Sequence, residues 1–202
     1  MKNLTEIIVI IDKSGSMSPL KSKTIEGFNE FIHEQKKLNE KAILSLIFFS
    51  SPNKEKIVYD SININDIPEL TPENYNPVGT TALYDCLGKS IKSVNKKIKS
   101  LDKKDKPNKV LFVIITDGQE NSSKKYSKQD ILNKISKKEK NKNWSFIYIG
   151  ANQDSFAEGS KIGINKTLNF EYSEAGMNLA YNKISAYTTS FRKSDDTSKI
   201  KL

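Results

Sequence analysis

The chain has 202 residues, a net charge of +9, 36% apolar and 28% charged side chains. That is enough for one domain with a real core, and the apolar residues fall in runs, which excludes a disordered or low-complexity protein. A single cysteine, Cys86, excludes an internal disulfide, and no run approaches the roughly 18 apolar residues that suggest a membrane span.

Residues 4–12 (LTEIIVIID) are apolar on both faces and rich in Ile and Val, the pattern of a central parallel strand. Residues 19–38 follow with Ile25, Phe28, Phe31, Ile32 and Leu38 at helical spacing. AILSLIFFS (42–50) is a second strand, and EKIVYDSI (55–62), after a short turn, predicts an antiparallel edge hairpin. Pro68, Pro72, Pro77 and Gly79 punctuate a loop over 63–81. A helix over 82–99 places Leu83, Leu87, Ile91, Val94 and Ile98 on one face, and 101–108 is a charged linker. KVLFVIITD (109–117) is another fully apolar strand ending on aspartate. A lysine-rich helix (127–140), a strand (144–152), a short helix (154–163) and a short strand (167–172) come next. The closing helix, 174–191, is expected to turn Leu179, Ile184, Tyr187 and Phe191 to the core. Strands alternating with helices predict an α/β, doubly wound, mostly parallel central sheet with one antiparallel edge strand and helices on both faces. One domain is expected over 1–192, with a flexible tail at 193–202.

All the basic residues but Arg192 are lysine, and they are spread along the sequence. The expectation is a solvated lysine surface, with no specific nucleic acid and no membrane as partner. The apolar run at the N-terminus is too short for a signal peptide, which with the lone cysteine predicts a cytoplasmic protein.

In such a sheet function gathers at the carboxyl ends of the strands. Two strands end there on aspartate, Asp12 and Asp117. Asp12 opens DKSGSM, where Ser14 and Ser16 follow within four positions and Gly15 lets the backbone curl between them. Between the two aspartates lies PVGTTALYDCL (77–87), with Thr80 and Thr81 just before a helix. Asp12, Ser14, Ser16, Thr81 and Asp117 are all hard oxygen donors; no histidine or thiol joins them, which argues against zinc. Hard oxygens with few carboxylates suit Mg²⁺.

DKSGSM matches the DxSGSM signature of the von Willebrand factor type A (vWA) domain, GTTALYDCL resembles its second loop and ITDGQEN its third, in the family's order and strand contexts. FIYIGANQDSFAEGSKIGI (146–164) is similar to the late strand and helix of stand-alone bacterial and phage members, so the resemblance spans nearly the whole chain. It implies a Rossmann-like fold and a metal-ion-dependent adhesion site. Asp12, Ser14 and Ser16 would come from the first loop, Thr81 (with Thr80 the adjacent alternative) from the second, and Asp117 from the third. The metal, Mg²⁺ or Mn²⁺, would keep a position open for an Asp or Glu of a protein partner. Lys13, Thr80, Gly118 and Gln119 would form the rim that meets it.

The other reactive residue types read plainly. His33 falls off the apolar face of its helix, and Cys86, beside Leu83 and Leu87, is expected as a small core residue. Asp85 reads as an acid in the first turn of a helix. Asn152, Gln153 and Asp154 read as a helix start with no metal role. Two other functions compete: a metal-dependent phosphoryl-transfer or hydrolase enzyme on the same sheet, and a basic nucleic-acid-binding protein. The first lacks a DxD pair, a P-loop and an evident general base, and the second lacks arginines and any reading motif.

Overall fold

The computed structural model describes residues 4–141, 143–151, 155–197 and 200–202. Six strands, β1 (Thr5–Asp12), β2 (Ala42–Phe49), β3 (Lys56–Asn63), β4 (Lys109–Thr116), β5 (Trp144–Ala151) and β6 (Lys166–Phe170), form one sheet in the order β3-β2-β1-β4-β5-β6. All neighbours pair in parallel except β2 and β3. The helices are α1 (Lys21–Lys36), α2 (Leu83–Ser100), α3 (Lys128–Glu139), α4 (Ser155–Lys161) and α5 (Glu174–Lys193).

The doubly wound arrangement follows from the alternation of side chains across buried strands. Every residue of β1 is buried. Ile7, Val9 and Ile11 point to one face, where they meet Phe28 and Phe31 of α1 and Met177, Ile184 and Phe191 of α5. Ile8 and Ile10 point to the other, against Leu87 and Ile91 of α2 and Ile131 and Ile135 of α3. Burying each such side chain contributes roughly 1.5–3 kcal/mol, which is why two sandwiched cores outweigh a modest apolar content. Close approach of α1 to α5 depends on Gly27, where a Cβ would fall 2.2 Å from the Tyr181 ring.

Several expectations are refined. The helix expected from residue 19 starts at Lys21, because Gly15–Leu20 forms a 3₁₀ helix containing Pro19, which has no N–H to give to an α-helical ladder. A short 3₁₀ helix, Ile64–Asp66, interrupts the predicted loop. Leu179 does not face the core: it is 56% exposed. The inward face of α5 is set by Met177, Ala180, Tyr181, Ile184, Tyr187 and Phe191, and Leu179, two residues past Met177, lies on the far side of the turn. The segment expected as a loose tail lays Ile200 and Leu202, both partly buried, against the α1/α5 core.

The strand order reverses direction at β1, with β2 on one side and β4 on the other. A crevice opens outside the carboxyl ends of strands at such a switch point. Asp12 ends β1, and Asp117 directly follows β4.

Candidate metal centre

Three loops meet over that crevice. The first, Lys13–Ser16, is tied to its neighbours by backbone hydrogen bonds: Lys13 N–H to Phe49 O (2.7 Å), Gly15 N–H to Gly79 O (3.0 Å) and Val78 N–H to Lys13 O (2.8 Å). Gly79 has φ +93°, and a Cβ there would lie 2.5 Å from Ser51 Oγ, so only glycine lets the second loop come this close. The third loop follows Asp117 and is anchored by acidic side chains. Glu120 accepts from the backbone N–H groups of Tyr84, Ser122 and Ser123.

The expected ligands lie together. Asp12 is fully buried, and its Oδ1 accepts the Ser14 N–H at 2.7 Å. Ser14 Oγ and Ser16 Oγ are 3.1 Å apart, and Ser16 Oγ donates to Asp117 Oδ1 at 2.9 Å. A chain of polar contacts therefore runs from the end of β1 to the end of β4. Thr81 joins it from the second loop. The position of a Cβ built on Gly118 would lie 3.2 Å from Thr81 Oγ1, 3.7 Å from Ser16 Oγ and 3.9 Å from Asp12 Oδ2. Oxygens from the first and second loops thus border one small space beside Gly118 of the third. Thr80 faces elsewhere, with its hydroxyl bonded to Ser51 Oγ (3.1 Å) and Ser122 Oγ (2.9 Å).

The electrostatics suit a cation. Burial pushes the Asp12 carboxyl up to about 6, against the pull of hydrogen bonds from Thr116 and Ser14 and with the nearby charge of Asp117 adding to the rise. Burial also raises Asp117, partly offset by the Ser16 hydroxyl. Two carboxylates held out of water without a neighbouring positive charge are the condition that a divalent ion relieves. Among the described residues no three His, Cys, Asp or Glu side chains come together to hold a metal. The donor set is two carboxylates with three hydroxyls, which fits a hard ion that retains water.

Of the expected rim, Thr80 and Gln119 are exposed and Lys13 and Gly118 are half-buried, as is the expected ligand Asp117. A groove of about 680 Å³ leads away from Ser16 and Asp117 past Pro19, Gln119 and Tyr172. His33 is exposed, and Asn152, Gln153 and Asp154 lie outside the described residues. Cys86 is buried, as expected, and burial pushes its thiol up to about 12.

Three supporting residues escaped the sequence reading, and a fourth, Asp85, was read only as a first-turn acid. Thr116 Oγ1 donates to Asp12 Oδ2 at 2.7 Å and accepts the Gly118 N–H at 3.2 Å. A hydroxyl closing an otherwise apolar buried strand needs a partner, and that was the available signal. Tyr75 donates its hydroxyl to Asp12 O, and Tyr172 to Ser16 O, both at 2.5 Å. Asp85 is more than a first-turn acid. It is 2% exposed, and its carboxylate accepts the backbone N–H groups of Lys124 (3.0 Å), Lys125 (2.8 Å) and Tyr126 (2.9 Å), fastening the third loop onto α2.

A family model for the von Willebrand factor type A domain matches residues 6–185. The chain belongs to that family. Solved vWA structures share its fold at low identity. A von Willebrand factor type A protein from Catenulispora acidiphila aligns with TM-score 0.62 and 13% identity, over 92% of this chain and 43% of its own. The ArnB paralog VWA2 from Sulfolobus acidocaldarius aligns with TM-score 0.60 and 15% identity, over 93% and 45%. Proximal thread matrix protein 1 from the mussel byssus, in a structure with a zinc-occupied MIDAS motif, gives 0.57 and 12%, over 91% and 45%. The chain spans less than half the length of these three proteins. A sequence search of curated proteins finds no match. No described helix of this vWA domain is long and apolar enough to cross a membrane.

Proposed function

We propose that this vWA domain is a Mg²⁺-dependent protein-binding module that captures an aspartate or glutamate of a partner protein, and that it is not an enzyme. The observation that carries the reading is the convergence of Asp12, Ser14, Ser16, Thr81 and Asp117 at one strand-end crevice, with Thr81, Ser16 and Asp12 oxygens around the space beside Gly118. Asp12 and Asp117 would supply the charge, the three hydroxyls the remaining protein oxygens. The bound ion would act as a Lewis acid toward an external carboxylate. The two carboxylates match the ion's charge, but five protein oxygens leave one position of its octahedron open, and a carboxylate oxygen from outside satisfies its hard-ligand preference there. Mn²⁺ can substitute for Mg²⁺ in such a set. Gln119 and Lys13, at the rim, would meet the residues flanking that carboxylate, with Thr80, bonded to Ser51 and Ser122, bracing the second loop beside them. The single buried thiol fits a cytoplasmic setting.

The test is affinity capture with the purified protein in Mg²⁺ and in EDTA, read by mass spectrometry. A partner retained only with Mg²⁺, and lost with Ser14→Ala plus Ser16→Ala in a protein that still melts cooperatively, is the expected result. A partner that binds equally well in EDTA places the interface on another face.

A further inference from the structure

The lysines that look dispersed in the sequence are gathered in space. Strands β4 and β5 both start at the pole of the sheet opposite the metal centre, and α2 and α3, which precede them, both end there. These two helices pack side by side, with Lys138 of α3 bonded to Asn95 of α2. Residues 92–106 and 134–140 together carry eleven lysines against Asp102, Asp105 and Glu139, which leaves +8 of the whole chain's +9. None of the eleven is buried, and residues 102–106 are all exposed. Among the described residues only Lys97 of this group has a carboxylate partner, Asp60. Burial lowers the Lys138 ammonium, with further lowering from Lys99 and Lys137, which records how closely the charges crowd.

Helix ends explain part of this. Lys97, Lys99, Lys137 and Lys138 sit in last turns, where cations offset the partial negative charge of unpaired carbonyls. Lys103, Lys104 and Lys106 lie beyond the helix ends and have no such role.

We propose that this pole is a second binding surface, for the phosphate backbone of double-stranded nucleic acid, without sequence preference. The chemistry narrows the partner. Base reading calls for arginine or amide forks, and every basic residue of the patch is lysine, a point charge suited to phosphate. Single strands bind by stacking on open aromatic rings, but Trp144 and Tyr126 are capped by the ammonium groups of Lys138 (4.1 Å) and Lys134 (5.2 Å). A membrane-seeking surface adds apolar side chains that insert, whereas the exposed large apolar residues among those described, Ile57, Val78 and Leu179, all lie outside the patch. The metal centre would remain open at the far end for its protein partner.

The experiment is fluorescence anisotropy of the full chain with a mixed-sequence duplex, across about 50 to 200 mM salt. A comparison sets Lys99→Gln, Lys103→Gln, Lys104→Gln and Lys106→Gln together against Lys54→Gln, Lys56→Gln, Lys128→Gln and Lys183→Gln together, two variants of equal net charge. Wild type should bind with an affinity that falls steeply with salt. The first variant should lose at least tenfold at low salt, and its log–log salt slope should shrink by about 0.9 per contact removed, while the second stays near wild type. Thermal melts confirm that both fold. Equal losses in the two variants, no binding at 50 mM salt, or tighter binding to a single strand of the same length or to anionic phospholipid vesicles would each overturn the proposal.

Discussion

Thr116 holds Asp12: its hydroxyl, at the last position of β4, donates a 2.7 Å hydrogen bond to Oδ2 of the aspartate that ends β1. Both side chains are fully buried, so the carboxylate is aimed by the sheet itself, before any ion is bound. Thr116→Val keeps the shape and removes the hydroxyl. It should weaken Mg²⁺ binding roughly tenfold, the scale on which a lost ligand-orienting contact acts, and lower stability by about 1–3 kcal/mol. Titration calorimetry and a denaturant melt measure the two separately, and a variant with wild-type metal affinity would show that the contact is only structural.

Metal binding should be visible without any partner. An ion that binds only the folded state raises stability by mass action, by about 2.7 kcal/mol at a hundred times its dissociation constant. The melting temperature should climb with added Mg²⁺ and return to its starting value with EDTA. Asp117→Ala should remove the climb. A mutant that still responds to Mg²⁺ would put the ion elsewhere.

The pH dependence should invert between the metal-free and metal-loaded forms. In metal-free protein the folded state holds the Asp12 proton up to about pH 6, while the ordinary carboxyl value is 3.8. Between those values folding takes up a proton, so this group's contribution to stability falls as pH rises through the window and is level above it. A bound cation requires the carboxylate, so the increment from Mg²⁺ should be full above pH 6 and fade below it. Melting curves with EDTA and with excess Mg²⁺ should therefore converge on acidification. Curves that stay parallel from pH 7.5 to 4.5 would exclude Asp12 as a ligand.

Asp85 should matter to the third loop and not to the ion directly. Burial alone would raise its carboxyl, but the backbone N–H groups of Lys124, Tyr126 and Lys125 outweigh that and hold it below the usual range. Asp85→Ala leaves those three donors without their acceptor and should cost about 3 kcal/mol. Amide exchange at residues 124–126 should quicken well beyond the change at the centre of β1. Uniform quickening across the chain would mean that the loop is not separately fastened.

Most of the sheet was readable from the chain because parallel strands buried on both faces have nearly unbroken apolar sequences, as β1 and β4 do. The five proposed ligands were brought together from the sequence alone because they sit at strand ends in a compact pattern. Their supports were not. Tyr75 and Tyr172 reach the carbonyls of Asp12 and Ser16 across 63 and 156 residues, and nothing local marks either tyrosine for that task. Asp85 works on backbone N–H groups, which every residue but proline carries, so its partners leave no trace in composition. Leu179 misled because a single helical residue can satisfy spacing from one neighbour and fail it from the rest. The crowding of lysines at one pole could not be read from the chain for a topological reason: residues 99 and 138 become neighbours only once α2 and α3 end at the same pole.

Cys86 gives the molecule an internal clock. It is the chain's only thiol, shut beneath the second loop on α2, and burial holds it almost wholly protonated at neutral pH. A water-soluble thiol reagent can reach it only in molecules whose α2 has momentarily come away from the sheet. The rate of labelling in native buffer therefore reports how often that helix opens. Read with and without Mg²⁺, it tells whether an ion at the strand ends quiets the helix that carries Asp85, with no residue changed.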